Sequence, residues 1–169
     1  MLHYFIEGQD DETFFRHIFL LPDDDINFYQ FAQKTALQVN RYIKTLKQMN
    51  EPYMFFVDSD GDTPAAKKDK ILKKYRELSS DNVYIVQNEI ESWFLAGADK
   101  SFGDTHRFKR YYLNTDSVTK EMFLDCISQS GDTKLNIMLA ILSIYDCALA
   151  ITRNNSFDKF LHYNQHFCR

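Results

Sequence analysis

Tyr53-Met54-Phe55-Phe56-Val57-Asp58-Ser59-Asp60-Gly61-Asp62-Thr63-Pro64 is the stretch that decides the fold. Its apolar part, Tyr53 to Val57, has the length and the aromatic content of a strand buried on both faces. Acids follow at alternate positions, then a glycine, then Thr63 and Pro64, a natural N-cap and first helical residue. A buried strand that yields to a helix within a few residues is one strand-turn-helix unit, and the flanking sequence repeats the pattern.

Toward the amino terminus, Leu2 to Ile6 reads as a short buried strand, followed by Gly8 with Asp10 or Asp11 as helix cap. Phe15, Ile18 and Phe19 then share a helical face, Ile26 to Phe31 reads as a weaker strand, and Val39, Ile43 and Leu46 recur at helical spacing. Toward the carboxyl terminus, Ile71, Tyr75 and Leu78 line a helix, Asn82 to Gln87 is a fourth strand, and Asn88 is placed to cap a helix carrying Trp93, Phe94 and Leu95. Four short strands separated by helices predict an α/β fold: a mostly parallel, Rossmann-like four-stranded sheet flanked by helices. From about Ala98 the texture changes, with helices expected near 118–128, 135–151 and 157–166. The expected organisation is an α/β core over 1–97 and a helical extension over 98–169, packed on that core.

Composition narrows the function classes. Hydrophobic content of 44% and aromatic content of 15% are enough for a packed core and argue against disorder. With 20 basic against 24 acidic residues the net charge is -4, so any nucleic-acid contact has to come from a local patch or from a bound metal. Cys126, Cys147 and Cys168 are odd in number and lack CxxC spacing, which predicts free thiols in a reducing compartment. The start shows no signal-peptide pattern, and the most apolar segment, Ile137 to Ile151, is interrupted by Ser143 and Asp146. The expectation is a soluble, cytoplasmic protein.

In an open parallel sheet the carboxyl ends of the strands converge on one edge, where acids distant in sequence can meet. Glu7, Asp58 with Asp60, and Glu89 with Glu91 all stand where an apolar run ends. Such acids suit a hard divalent cation, Mg²⁺ or Mn²⁺. Residues two apart in an extended segment project to the same side, which would aim Asp58 and Asp60 together; a solvated turn with a helix cap is the plain alternative. An EF-hand is not the explanation. Asp58, Asp60 and Asp62 match its first alternate ligands, but Thr63 stands at the glycine position, Asp69 at the bidentate glutamate position, and Pro64 intervenes. Glu91, three residues after Asn88, is either the far half of a capping box or a ligand or outer acid of the metal site. Trp93 reads as a core anchor rather than a stacking platform.

Two basic stretches are candidates for phosphate. Lys67, Lys68, Lys70, Lys73 and Lys74 read as a solvated helix face. His106, Arg107, Lys109 and Arg110, interleaved with Tyr111 and Tyr112, make the better nucleic-acid contact, through Arg107, Lys109 and Arg110. His162 and His166 lack a third ligand, nothing marks a Ser or Cys nucleophile, and there is neither a Walker loop nor GxGxxG.

Phe5-Ile6-Glu7-Gly8, Val57-Asp58-Ser59-Asp60 and Glu89-Ile90-Glu91-Ser92-Trp93-Phe94-Leu95-Ala96, with a late Arg153-Asn154-Asn155-Ser156-Phe157, resemble the Toprim-domain superfamily shared by topoisomerases, primases and overcoming-lysogenization-defect (OLD) nucleases. The likeness is strongest to small standalone bacterial Toprim-related proteins, and it covers residues 2–97. It implies a Toprim-like fold with Glu7, Asp58 and Asp60 as metal-binding and catalytic residues, Glu89 and Glu91 as further metal candidates, and Mg²⁺ or Mn²⁺ as cofactor. The implied activity is that of a hydrolase: a nuclease or phosphodiesterase on DNA or RNA, in a setting such as antiviral defence. A separate ATPase subunit is the implied partner, since the ATPase domain of OLD proteins is absent from this sequence. Two other readings stay open: a non-catalytic Toprim-like effector beside an ATPase, and a small-molecule phosphotransfer enzyme with Asp58 as nucleophile.

Overall fold

The four apolar runs pair in parallel into one sheet, and the computed structural model orders them β2-β1-β3-β4. The strands are β1 (Leu2–Ile6), β2 (Ile26–Gln30), β3 (Tyr53–Asp58) and β4 (Val83–Val86). The register sets Phe5 beside both Tyr29 and Phe55, and Asp58 beside Val86. The structure describes residues 1–19, 22–106, 108–128 and 131–163. It divides into two compact units, Met1–Val86 and Gln87–Arg169.

In the first unit the alternation of each strand assigns its helices. Tyr4 and Phe56 face α1 (Gln9–Ile18), where Phe15 lies 4.6 Å from Phe56 and 6.0 Å from Tyr4, centroid to centroid. Phe5, Phe55 and Val57 face the other way, into a core closed by Val39, Ile43 and Leu46 of α2 (Ala36–Met49) and by Ile71 of α3 (Pro64–Lys74). Phe31 stacks on Phe55 at 4.3 Å. Burial on both faces explains why the central strands β1 and β3 are apolar over most of their length, whereas the edge strand β2, mostly half-buried, carries Asn27 and Gln30; each buried aromatic contributes on the order of 1.5–3 kcal/mol.

Helix starts follow local chemistry. Thr63 Oγ1 accepts from the Ala66 amide, with Pro64 behind it as first residue. Before α1 the expected caps are displaced: Gly8 is the N-cap, and Asp11 reaches back so that its Oδ2 accepts from the Gly8 amide at 2.8 Å.

The second unit is helical: α4 (Glu91–Ala96), α5 (Lys100–Thr105), α6 (Lys120–Ile127), α7 (Lys134–Ser143), α8 (Cys147–Arg153) and α9 (Asn155–Tyr163). The boundary therefore falls at 86/87 and not near 98. Residues 87–97 belong with the helices because Trp93, fully buried, packs on Phe157 and Phe160 at 5.2 and 5.0 Å. The single helix expected over 135–151 is two, α7 and α8, meeting at 112°. Asp146 causes the break by capping α8 through the Leu149 amide at 3.0 Å. Among the described residues no single helix is long and apolar enough to cross a membrane. Of the thiols, Cys126 is free and buried, and burial pushes its pKa up, so it is no ready nucleophile. Cys147 is the first residue of α8. Cys168 lies outside the described residues.

Candidate functional site

The order β2-β1-β3-β4 has a consequence for the acids. The chain leaves β1 toward β2 on one side and returns on the other to form β3, so the topological switch point lies between β1 and β3. The loops after these strands diverge, one into α1 on the Tyr4 face and one into α3 on the Phe55 face, the arrangement at which open α/β sheets bind ligands. Glu7 follows β1 and Asp58 ends β3. Glu7 Oε1 accepts a hydrogen bond from the Asp58 amide at 3.2 Å, across 51 positions of sequence.

Beyond Asp58 the backbone turns sharply. The Ser59 amide continues the ladder by donating to the Val86 carbonyl at 2.9 Å, and Ser59 is buried. Asp60 has φ of 48° and Gly61 of 79°, two successive left-handed residues. The segment is thus not extended through Asp60, and the expected common direction of Asp58 and Asp60 is broken. Asp58 is half-buried and Asp60 exposed. The Asp60 Oδ2 meets Lys67 Nζ at 2.5 Å, and Asp62 pairs with Lys70 at 2.6 Å. The lysines expected on a solvated face of α3 include two that are ion-paired to the acidic turn.

Glu89 and Glu91 belong to the second unit. Asn88 is left-handed, with φ of 57°, and its amide nitrogen donates to the Asp116 carbonyl; it caps no helix, and α4 begins at Glu91 after Ile90. Glu89 Oε2 accepts from the Lys120 amide. Glu91 is buried, and its Oε1 pairs with Lys134 Nζ at 2.5 Å, so it is not the far half of a capping box. Removing one member of a buried pair leaves the other charged and poorly solvated. Lys134→Met is expected to cost about 3 kcal/mol, read as a lower urea midpoint, and the double change with Glu91→Leu to recover most of it. Equal stability of Lys134→Met and wild type would show the pair to be dispensable.

The late phrase Arg153 to Phe157 organises the same unit. Trp93 Nε1 donates to Ser156 Oγ at 2.7 Å, Ser156 Oγ donates to Asn154 Oδ1, and Asn154 Nδ2 reaches Thr115 Oγ1 at 3.0 Å. Arg153 lies over the Tyr112 ring and donates to the carbonyls of Ala96 and Ala98. These are buried structural roles. Of the basic candidates, Lys109 is well exposed and 4.0 Å from Asp104, whereas Arg110 lies over Tyr111 and 3.4 Å from Asp125. Arg107 lies outside the described residues. His106 stacks on Phe102 at 4.1 Å.

Among the described residues no three His, Cys, Asp or Glu side chains are grouped to hold a metal ion. In kind, the donors of the first unit suit a hard divalent cation: carboxylates on the two switch-point loops. In arrangement, Glu7 meets the Asp58 backbone while Asp60 is committed to Lys67. An ion shared through Oδ2 would require Asp60 to exchange that partner.

Comparison with protein-family models gives no match, and no curated protein matches the chain. Among solved structures, the chain is similar to the C-terminal region of the Xanthomonas campestris pv. campestris OLD protein, at 13% identity and a TM-score of 0.42, covering 98% of this chain and 97% of that one. The α/β architecture stands on the strand pairing itself.

Proposed function

We propose that the β1–β3 switch point is the site of a Toprim-like, Mg²⁺- or Mn²⁺-dependent nuclease or phosphodiesterase acting on nucleic acid. The observation that carries this reading is the meeting of Glu7 and Asp58 at the carboxyl ends of adjacent parallel strands, the place where open α/β sheets bind ligands. Glu7, Asp58 and Asp60 would hold the ion. When bound, a divalent ion supplies Lewis-acid polarisation of the phosphate and stabilises charge developing on the attacking and leaving oxygens. The chain's own part is to fix the carboxylates. The Asp58 amide orients Glu7, and Glu7 can take a proton from an attacking water once substrate positions it. Arg107, Lys109 and Arg110 would contact the phosphate backbone without reading sequence. A cytoplasmic setting and an ATPase partner complete the proposal.

One observation favours a second reading, a non-catalytic effector: Asp60 and Glu91 are already neutralised by Lys67 and Lys134. Incubation with single- and double-stranded DNA and RNA separates the two. The nuclease reading expects nicking or cleavage with Mg²⁺ or Mn²⁺ and none with EDTA. Inactivity with both metals, alone and with an ATPase partner, leaves the effector.

A further inference from the structure

Three of the five lysines of α3 stand in the first half of their helix. Lys67 closes its first turn, which holds no acid, although the amino-terminal dipole disfavours cations there; Lys68 and Lys70 follow in the second turn. Lys67 nevertheless gives up most of its exposure. Its side chain is 13% exposed, and its Nζ reaches 2.5 Å from Oδ2 of an Asp60 whose own side chain is 55% exposed. A merely solvated lysine would keep its ammonium in water and its rotamer freedom. Lys70, at 66% exposure, does remain largely in water while it pairs with Asp62.

We propose that Lys67 is a built-in counter-cation of the acidic turn, holding Asp60 when no divalent ion is bound and competing with that ion for the Asp60 carboxylate. The proposal rests on the metal reading above and adds its regulation. An ion can use the Oδ2 that faces Nζ only by displacing the ammonium, so binding through that oxygen includes the loss of an ion pair. The left-handed backbone at Asp60 and Gly61 holds this carboxylate outward, toward α3. The site consequently fills only where the free divalent ion outcompetes a cation already in place. The exchange is local, since Lys70 serves a different carboxylate.

The test is calorimetric titration of MnCl₂ into the full chain at low ionic strength, with wild type, Lys67→Met, Lys67→Gln, Asp60→Asn, Asp60→Asn with Lys67→Met, and Asp58→Asn. Both Lys67 variants are expected to bind Mn²⁺ about 5-fold more tightly than wild type, within the usual range of site-to-site coupling. In the Asp60→Asn background Lys67→Met is expected to change nothing, because the two act through one contact. Equal or weaker binding by both Lys67 variants, while wild type binds and Asp58→Asn does not, would overturn the inference and leave the metal reading standing. Absence of binding in wild type and in both Lys67 variants would remove the metal reading, and the inference with it. Far-UV circular dichroism confirms that each variant is folded.

Discussion

Asp58→Ala is expected to abolish measurable Mn²⁺ binding and to lower any metal-dependent cleavage at least about 100-fold, the upper end of what loss of an outer-sphere partner alone costs. Asp58 is the last residue of β3, beside the Glu7 carboxylate that its amide holds, and in the proposed site its side chain would be a ligand to the ion. Removing it takes away a hard oxygen donor, and the protein, at a net charge of -4, has no surplus of cations to stabilise a reacting phosphate instead. Asp58→Asn keeps the shape, removes the charge, and should lose binding in the same way. The fold should survive in both, because the side chain is only half-buried at a strand end while the core is made by Phe55, Phe56 and Val57. Unchanged Mn²⁺ affinity in a folded Asp58→Asn protein would remove the site from the switch point.

Trp93→Ala is expected to destabilise the helical unit by about 4 kcal/mol, within the range for emptying a large aromatic site. Trp93 is fully buried, touches Phe157 and Phe160, and donates its indole N–H to Ser156. Its carbonyl accepts from Tyr145 Oη at 2.8 Å. The substitution therefore opens a cavity and breaks one end of the Ser156-Asn154-Thr115 network at once. Trp93→Phe fills most of the volume and should recover more than half of the loss. Urea unfolding followed by circular dichroism is the suitable measurement, since Trp93 is the only tryptophan and its fluorescence disappears with it. A loss below about 1 kcal/mol, the ordinary size of a point-mutant effect, would mean that the helices do not depend on this anchor.

The sequence by itself determined the sheet. Four apolar runs, Thr63 before Pro64, and Glu7 and Asp58 at strand ends were legible because strand period, helix caps and turn residues act over a few neighbouring positions. Composition likewise announced a packed core, and the apolar setting of Trp93 announced an anchor. What the sequence could not determine were partners and directions. Asn88 has the chemistry of a cap, but the chain turns it left-handed toward Asp116, 28 positions away. Glu91 has the spacing of a capping box, but Lys134 claims it from α7. Asp60 shares alternate spacing with Asp58, but two left-handed residues swing it to Lys67. Only the tertiary structure decided that residues 87–97 pack with the helices, that the switch point lies between β1 and β3, and which acids already hold a cation. Those outcomes depend on groups brought together from dozens of positions apart, and no local preference encodes such meetings.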